Sequence, residues 1–345
     1  MLAVTMGDPA GIGPEVTLKG FAERPQRLHI GDPLVYRRTA ARLGLRLDFQ
    51  EVDSPEAAAA LPPQRFAILP TGQRAAPGDD PSWEPAFGQP HAAYAASTVE
   101  SILTACRLAL QGRVAAVVTP PVNKSVLHAG GFPVPGHTEL LGQCAGVALP
   151  VMMLAGEGLR VVPVTIHQSL LSVTESLTAD LLRRTIQITV AALRRDFALP
   201  HPRVVVTGLN PHAGEEGAFG REEVEIIAPV CRELATEWPG VIRGPLSADS
   251  LFHAEARQTY DAAICMYHDQ ALIPIKMLAF GRAVNITLGL PIVRTSVDHG
   301  TAYPIAGQGI ADPVSFQQAI LVALELAENR REYGTRRNDN RGCRR

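Results

Sequence analysis

Short apolar runs recur along the chain, and each stops at a turn loaded with polar residues. Residues 2–6 run into Gly7-Asp8-Pro9, and Val114–Val118 gives way to Thr119-Pro120-Pro121-Val122-Asn123-Lys124. Residues 160–166 end at His167, Val204–Thr207 leads to Gly208-Leu209-Asn210-Pro211-His212, and Ala262–Met266 stops at Tyr267-His268-Asp269. Two further strand-like runs, Ala283–Leu288 and Leu290–Val293, carry Asn285 and lead to Arg294. Continuous apolar runs this short fit strands buried on both faces of a parallel sheet. Helix-length stretches lie between them, at about 92–110, 179–197 and 222–237, and a last helix follows Asp312 to about Asn329. Pro14 is a good first helical residue after the GDPAGIG turn. Residues 75–92, rich in Pro, Gly and Asp, read as a surface loop, and the Arg-rich end beyond Asn329 as a frayed terminus.

Such a pattern describes an open α/β sheet, where ligands bind at the carboxyl ends of the strands. The length of 345 residues allows two domains. With 46% hydrophobic and 19% charged residues the chain is globular, and a net charge of -2 offers no attraction to nucleic acid or a membrane surface. No uncharged apolar run is long enough to span a bilayer, and the first residues lack the basic start of a signal peptide. Five cysteines, an odd number without a CxxC, argue against a disulfide framework or thiolate metal site and fit a reducing cytoplasm.

Three of the ten histidines share one position in this pattern. His167, His212 and His268 each follow the end of a buried-type strand. Parallel strands bring those ends to one edge, where three imidazoles can converge on a divalent cation and leave positions open for substrate. Lys276, Asn285 and Arg294 follow, and two permanent cations suggest an anionic substrate, a carboxylate or phosphate. Asp249 and Asp269 either orient a ligand, move protons, or pair with Lys or Arg as buried salt bridges. Gly136-His137-Thr138 opens another helix, with Thr138 either capping it or meeting an anion at the helix start. Gly11-x-Gly13 lacks the third glycine of a dinucleotide fingerprint, and a tight strand-to-helix turn explains it as well.

The stretches MGDPAGIGPE, PVNK, GHTELL, GLNPHAGE, GPLSADSLF, MYHDQ, GRAVNITLGLP and RTSVDHGTA span nearly the whole chain. Together they resemble the 4-hydroxythreonine-4-phosphate dehydrogenase family of pyridoxal phosphate (vitamin B6) biosynthesis. The resemblance implies a fold like isocitrate and isopropylmalate dehydrogenases: two α/β/α domains with a cleft between them. The first would comprise 1–125 with 290–345, and the second 126–289, with the metal ligands and the interface of a homodimer. It implies that His167, His212 and His268 bind a divalent metal (Zn, Mg or Co), with His167 and His212 from one chain and His268 from the other. His137, Thr138, Lys276, Asn285 and Arg294 match substrate-binding positions. His299, Gly300, Thr301 and Ala302 lie in a loop similar to the one that holds the adenosine of NAD or NADP. Lys276, Asp249 and Asp269 are the candidates for the general base. Departures are Pro304 in place of an acidic residue, Tyr303 in place of an aliphatic one, and Pro120 in place of a glycine.

The implied reaction oxidises 4-phosphooxy-L-threonine to 2-amino-3-oxo-4-phosphooxybutanoate, which decarboxylates to 3-amino-2-oxopropyl phosphate. Close relatives resemble dehydrogenases of threonate or erythronate 4-phosphate. A metal-dependent lyase and a non-catalytic metabolite-binding protein are the readings from other classes. NADH formation separates the lyase from a dehydrogenase, and the intact set of three histidines with Lys276 and Arg294 argues against the binding protein.

Overall fold

The computed structural model describes residues 1–21, 27–75, 83–133 and 136–342, with side chains as far as residue 336. Its strands are β1 (Leu2–Thr5), β2 (Arg27–Gly31), β3 (Asp48–Glu51), β4 (Arg65–Pro70), β5 (Ala116–Thr119), β6 (Val151–Gly156), β7 (Leu159–Pro163), β8 (Val204–Thr207), β9 (Ile242–Leu246), β10 (Ala262–Cys265), β11 (Val284–Leu288) and β12 (Arg294–Val297). The chain forms two compact units, Met1–Pro150 with Leu290–Ala327, and Val151–Gly289 with Glu328–Arg345.

In the first unit the strands run in the order β3-β4-β2-β1-β5-β12, all parallel. Both β1 and β5 are buried at every position, as continuous apolar strands require when both faces are covered. The helix Ala95–Leu110 lies across β1, β2 and β5. Ala95, Val99, Ile102 and Cys106 form one helical stripe, and they join Ala3, Leu28 and Val117 of the sheet in one core. Burying a side chain such as Ile102 contributes about 1.5–3 kcal/mol.

In the second unit the order is β11-β6-β7-β10-β8-β9. Here β7, β10, β8 and β9 are parallel, while β6 runs antiparallel to both β7 and β11. The helix His268–Ala279 buries Ala271, Leu272, Ile275 and Ala279 and lies against β6, β7 and β10. Pro274 lies inside this helix, in its second turn, and removes the backbone N–H that would otherwise bond the Gln270 carbonyl.

Several expectations are corrected. The domain boundary at 125 falls too early: the helices Lys124–Ala129 and His137–Ala145 pack on Ala95–Leu110, which keeps the chain to Pro150 in the first unit. Leu290–Val293 is not a strand. Leu290, Ile292 and Val293 are buried as coil, and the ladder begins at Arg294 opposite Val117. The run expected over 160–166 is β7, ending at Pro163, although Val164 and Thr165 still donate backbone hydrogen bonds to Cys265 and Met266 at 2.8 and 3.2 Å. The helix expected at 222–237 opens with a wide π turn, Glu223–Ile227, before Ala228–Glu237. The terminus does not fray at Asn329: the last helix is Val314–Gly342. Asn329 and Arg330 are anchored to Asp196, which Arg195 also holds, and Arg336 pairs with Glu332 one turn away. Of the expected surface loop, residues 76–82 lie outside the described residues, and 83–91 are irregular. No helix among the described residues is long and apolar enough to cross a membrane.

Candidate functional site

The strands β7 and β10 are neighbours, so the residues beyond their ends meet. His167 and His268 face one another with ring centroids 5.8 Å apart. They line a pocket with Ile166, Leu170, Tyr267 and Asp269. His268 opens its helix, and its Nδ1 donates to Asp269 Oδ1 at 2.6 Å, which puts the ring's lone pair on Nε2. A carboxylate-oriented imidazole beside a second imidazole is a donor set suited to a divalent transition metal.

His212 sits apart from this pair, on the loop after β8. Residues 212–216 all have positive φ, from 41 to 78°, which makes a left-handed turn containing the non-glycine residues His212, Ala213, Glu215 and Glu216. Each such residue costs about 1–2 kcal/mol, so the surroundings must hold the turn in place. The Asp249 carboxylate lies near His212; a hydrogen bond from Ser247 Oγ at 2.5 Å, and then His212, lower its pKa. Among the described residues, no three His, Cys, Asp or Glu side chains of one chain stand together to hold a metal ion.

The cationic cluster belongs to the first unit. Arg294 is only 3% exposed, and its Nε and Nη2 donate to Thr119 Oγ1 at 3.1 and 2.6 Å. Burial lowers its pKa to about 10, while Glu139 opposes the shift. His137 is held well below its ordinary pKa by burial and then by Arg294, so it is neutral, and its buried Nε2 has no hydrogen-bond partner in the protein. His137 and Thr138 start the helix His137–Ala145, whose cap is Gly136 rather than Thr138. A Cβ at Gly136 would lie 3.3 Å from both Glu139 Oε2 and Lys124 Cε, so the bare backbone admits Lys124 beside the helix start. Lys276 and Asn285 belong to the second unit. Lys276 is in the last turn of His268–Ala279, and the Asn285 Oδ1 on β11 is buried without a partner.

The loop 299–302 packs on the first glycine turn. Ile12 N donates to Thr301 O at 2.9 Å, and a Cβ at Gly11 would lie 3.0 Å from both Thr301 Cβ and Thr301 O. Gly11 is therefore glycine for a close approach within the chain. Gly300 is exposed, with open space around its Cβ position, so no internal packing demands a glycine there. Ala302 takes a left-handed conformation, φ 44°, and His299 Nε2 is buried without a partner. Tyr303 donates to Asp8 Oδ2 at 2.7 Å, and Asp8 is almost wholly buried with its pKa raised by that burial.

The model of the family described as pyridoxal phosphate biosynthetic protein PdxA matches residues 23–323. The chain belongs to this family. It is 48% identical over 337 residues to 4-hydroxythreonine-4-phosphate dehydrogenase of Methylorubrum extorquens, covering 94% of each chain. The crystal structure of the enzyme of that name from Klebsiella pneumoniae superposes with a TM-score of 0.85 at 38% identity, covering 95% of this chain and 98% of the other. A terephthalate 1,2-cis-dihydrodioldehydrogenase from Burkholderia xenovorans superposes with a TM-score of 0.64 at 30% identity, covering 93% and 96%. In this PdxA-family chain, sequence reasoning passed over Glu139, Gln270 and Glu223, which hold or flank candidate site residues, and left the strand end at Thr119 as either a cap or a ligand contact. Gln270 ends the MYHDQ stretch, and its amide beside two strand ends was the available signal.

Proposed function

We propose that this chain is a 4-hydroxythreonine-4-phosphate dehydrogenase. It would oxidise 4-phosphooxy-L-threonine with NAD or NADP to 2-amino-3-oxo-4-phosphooxybutanoate, a β-keto acid that loses carbon dioxide to give 3-amino-2-oxopropyl phosphate. The observation that carries this reading is 48% identity over 94% of the chain to a dehydrogenase of that name. The buried Arg294 with neutral His137 supports it, because that pair fits an anionic group.

His167, His212 and His268 would hold a divalent ion (zinc, magnesium or cobalt), with His268 oriented by Asp269. When bound, the ion lowers the pKa of the substrate hydroxyl, and the nicotinamide accepts the hydride. His299, Gly300, Thr301 and Ala302 would hold the cofactor, whose space is consistent with the open side of Gly300. Arg294, His137 and Thr138 bind the anionic end of the substrate, with Thr119 fixing the guanidinium fork. The orphan Asn285 Oδ1 accepts from a substrate N–H or O–H. Lys276, Asp249 and Asp269 are the candidates for the base that takes the proton of the hydroxyl, with Asp269 bonded to His268 and Asp249 to Ser247.

The active unit is a cytoplasmic homodimer with a shared site. Ile273, Met277 and Phe280 are 58, 82 and 83% exposed on and beside the helix that carries His268 and Lys276, and Leu170 and Leu171 are exposed just after His167. An apolar patch of this kind next to a site fits a second copy of the chain. A second reading, oxidation of threonate or erythronate 4-phosphate, keeps every residue role. The name of the Burkholderia xenovorans neighbour shows a different substrate on this fold. The test is a substrate panel followed by NADH appearance, with and without chelator. Metal-dependent NADH from 4-phosphooxy-L-threonine is expected. NADH or NADPH only from a sugar-acid phosphate selects the second reading, and turnover that reduces neither nucleotide overturns both.

A further inference from the structure

The loop that carries His212 and the helix start that carries His268 are tied together by a part-buried polar brace. Gln270 reaches from the first turn of the His268 helix to the ends of two strands. Its Oε1 accepts from Met266 N at 2.6 Å and from Thr207 Oγ1 at 2.7 Å. Its Nε2 donates to Gly208 O at 2.8 Å. Those partners fix the amide's orientation, because a backbone N–H needs the oxygen and a backbone carbonyl needs the nitrogen. Neither a carboxylate nor a flipped amide satisfies all three.

Glu223 takes over where Gln270 stops. The residue is 3% exposed, and its Oε1 accepts from Leu209 N and Asn210 N at 2.7 and 2.8 Å. Its Oε2 accepts from Asn210 Nδ2 at 3.0 Å. A Cβ at Gly214 would lie 2.5 Å from Glu223 Oε2, so the left-handed turn carrying His212 is wrapped directly on this carboxylate. From Met266 to Asn210, three successive residues after β8's last position are thus pinned by two side chains, one from each neighbouring element. These side chains pair backbone groups of Met266, Gly208, Leu209 and Asn210 that apolar side chains of the same volume would leave unsatisfied, so they hold the strand ends and the strained turn in place.

We propose that Gln270 and Glu223 are positioning residues that set the placement of His268 and His212 for metal binding. This rests on the histidine-metal reading above. Removing either side chain frees a ligand-bearing loop, so the folded protein should lose metal affinity rather than fold. Residues that orient ligands from outside the coordination sphere typically change affinity about 10–100-fold.

The experiment is equilibrium dialysis of the full-length protein against Zn2+, with bound metal quantified for the parent, Gln270→Met, Glu223→Gln, Thr207→Val, His212→Ala and His268→Ala. Circular dichroism in chelator checks that each is folded. Gln270→Met and Glu223→Gln should bind Zn2+ about 10–100-fold more weakly, at unchanged stoichiometry, and Thr207→Val should shift affinity the same way by less. A purely structural role would lower the melting temperature and leave the affinity of the folded protein at the parental value, which overturns the proposal. Should the first two variants fail to fold, Thr207→Val decides: parental affinity overturns the proposal. Parental Zn2+ binding in both His212→Ala and His268→Ala would overturn the histidine-metal reading itself, separately from the brace.

Discussion

Arg294 shows how much one buried side chain organises. Its guanidinium is fixed by Thr119 and lowers the pKa of His137 after burial has already done so. Arg294→Ala should cost about 2–5 kcal/mol in kcat/KM, the usual loss when one partner of a desolvated charged hydrogen bond is removed. NAD affinity should stay at the parental value, and a collapse of NAD binding in steady-state or direct titration would move Arg294 to the cofactor site. Histidine burial also predicts a pH effect on stability. His29 is fully buried, stacked on Phe66 at 3.7 Å, and burial with the nearby Arg27 lowers its pKa from 6.5 to about 3. Between those values the unfolded chain binds a proton that the folded chain does not. Stability therefore falls as pH drops below 6.5, by at most about 1.4 kcal/mol per pH unit from this residue. Denaturant titrations of the parent and His29→Gln between pH 6.5 and 4 should show that slope in the parent and its loss in the variant. Equal slopes would contradict the assignment.

Among the elements, the two glycine-bearing loops of the first unit make opposite predictions. Gly11 is pressed against Thr301, whereas Gly300 faces open space. Gly11→Ala forces a close contact with backbone and should destabilise the fold by about 1–3 kcal/mol, the usual range for overpacking. Gly300→Val should leave the melting temperature nearly unchanged and weaken NAD binding, because its added bulk enters the space proposed for the cofactor. Unchanged NAD affinity with a lowered melting temperature would show that Gly300 serves the fold. The last helix makes the same point in another way. Its arginines read as a frayed end in sequence, yet Arg330 has a buried carboxylate to meet at Asp196, whose pKa stays below its ordinary value despite burial because Arg330 and Arg195 bond to it.

For the whole molecule, the question is whether the three histidines proposed as metal ligands serve one ion. In one chain His167 and His268 are neighbours, while the resemblance divides them between subunits. Pairwise mixing of His167→Ala, His212→Ala and His268→Ala under subunit exchange resolves the division. Random exchange makes half the molecules heterodimers, so about a quarter of all sites recover in any mixture that separates the lesions. If one histidine crosses the interface, the two mixtures containing it should recover activity and the third should not. Recovery in none, with exchange confirmed by mass, would mean that each subunit builds its own site.

The linear pattern determined the α/β class, the buried strands and the position of the three histidines after strand ends, because burial on both faces leaves an unbroken apolar run that needs no partner to be read. It also located Arg294, Asn285 and the glycine turns as chemically loaded points. Strand order and direction belonged to the tertiary structure: β6 and β11 are antiparallel, and an apolar run looks the same in either direction. So did the start of β12, since Leu290, Ile292 and Val293 are buried ahead of the ladder that begins at Arg294. The pairing of His167 with His268, the hold of Thr119 on Arg294, and the reach of Gln270 to Thr207 and Gly208 are contacts between residues far apart in the chain. Periodicity carries no information about such contacts, because they arise only when sheet order decides which strand ends become neighbours.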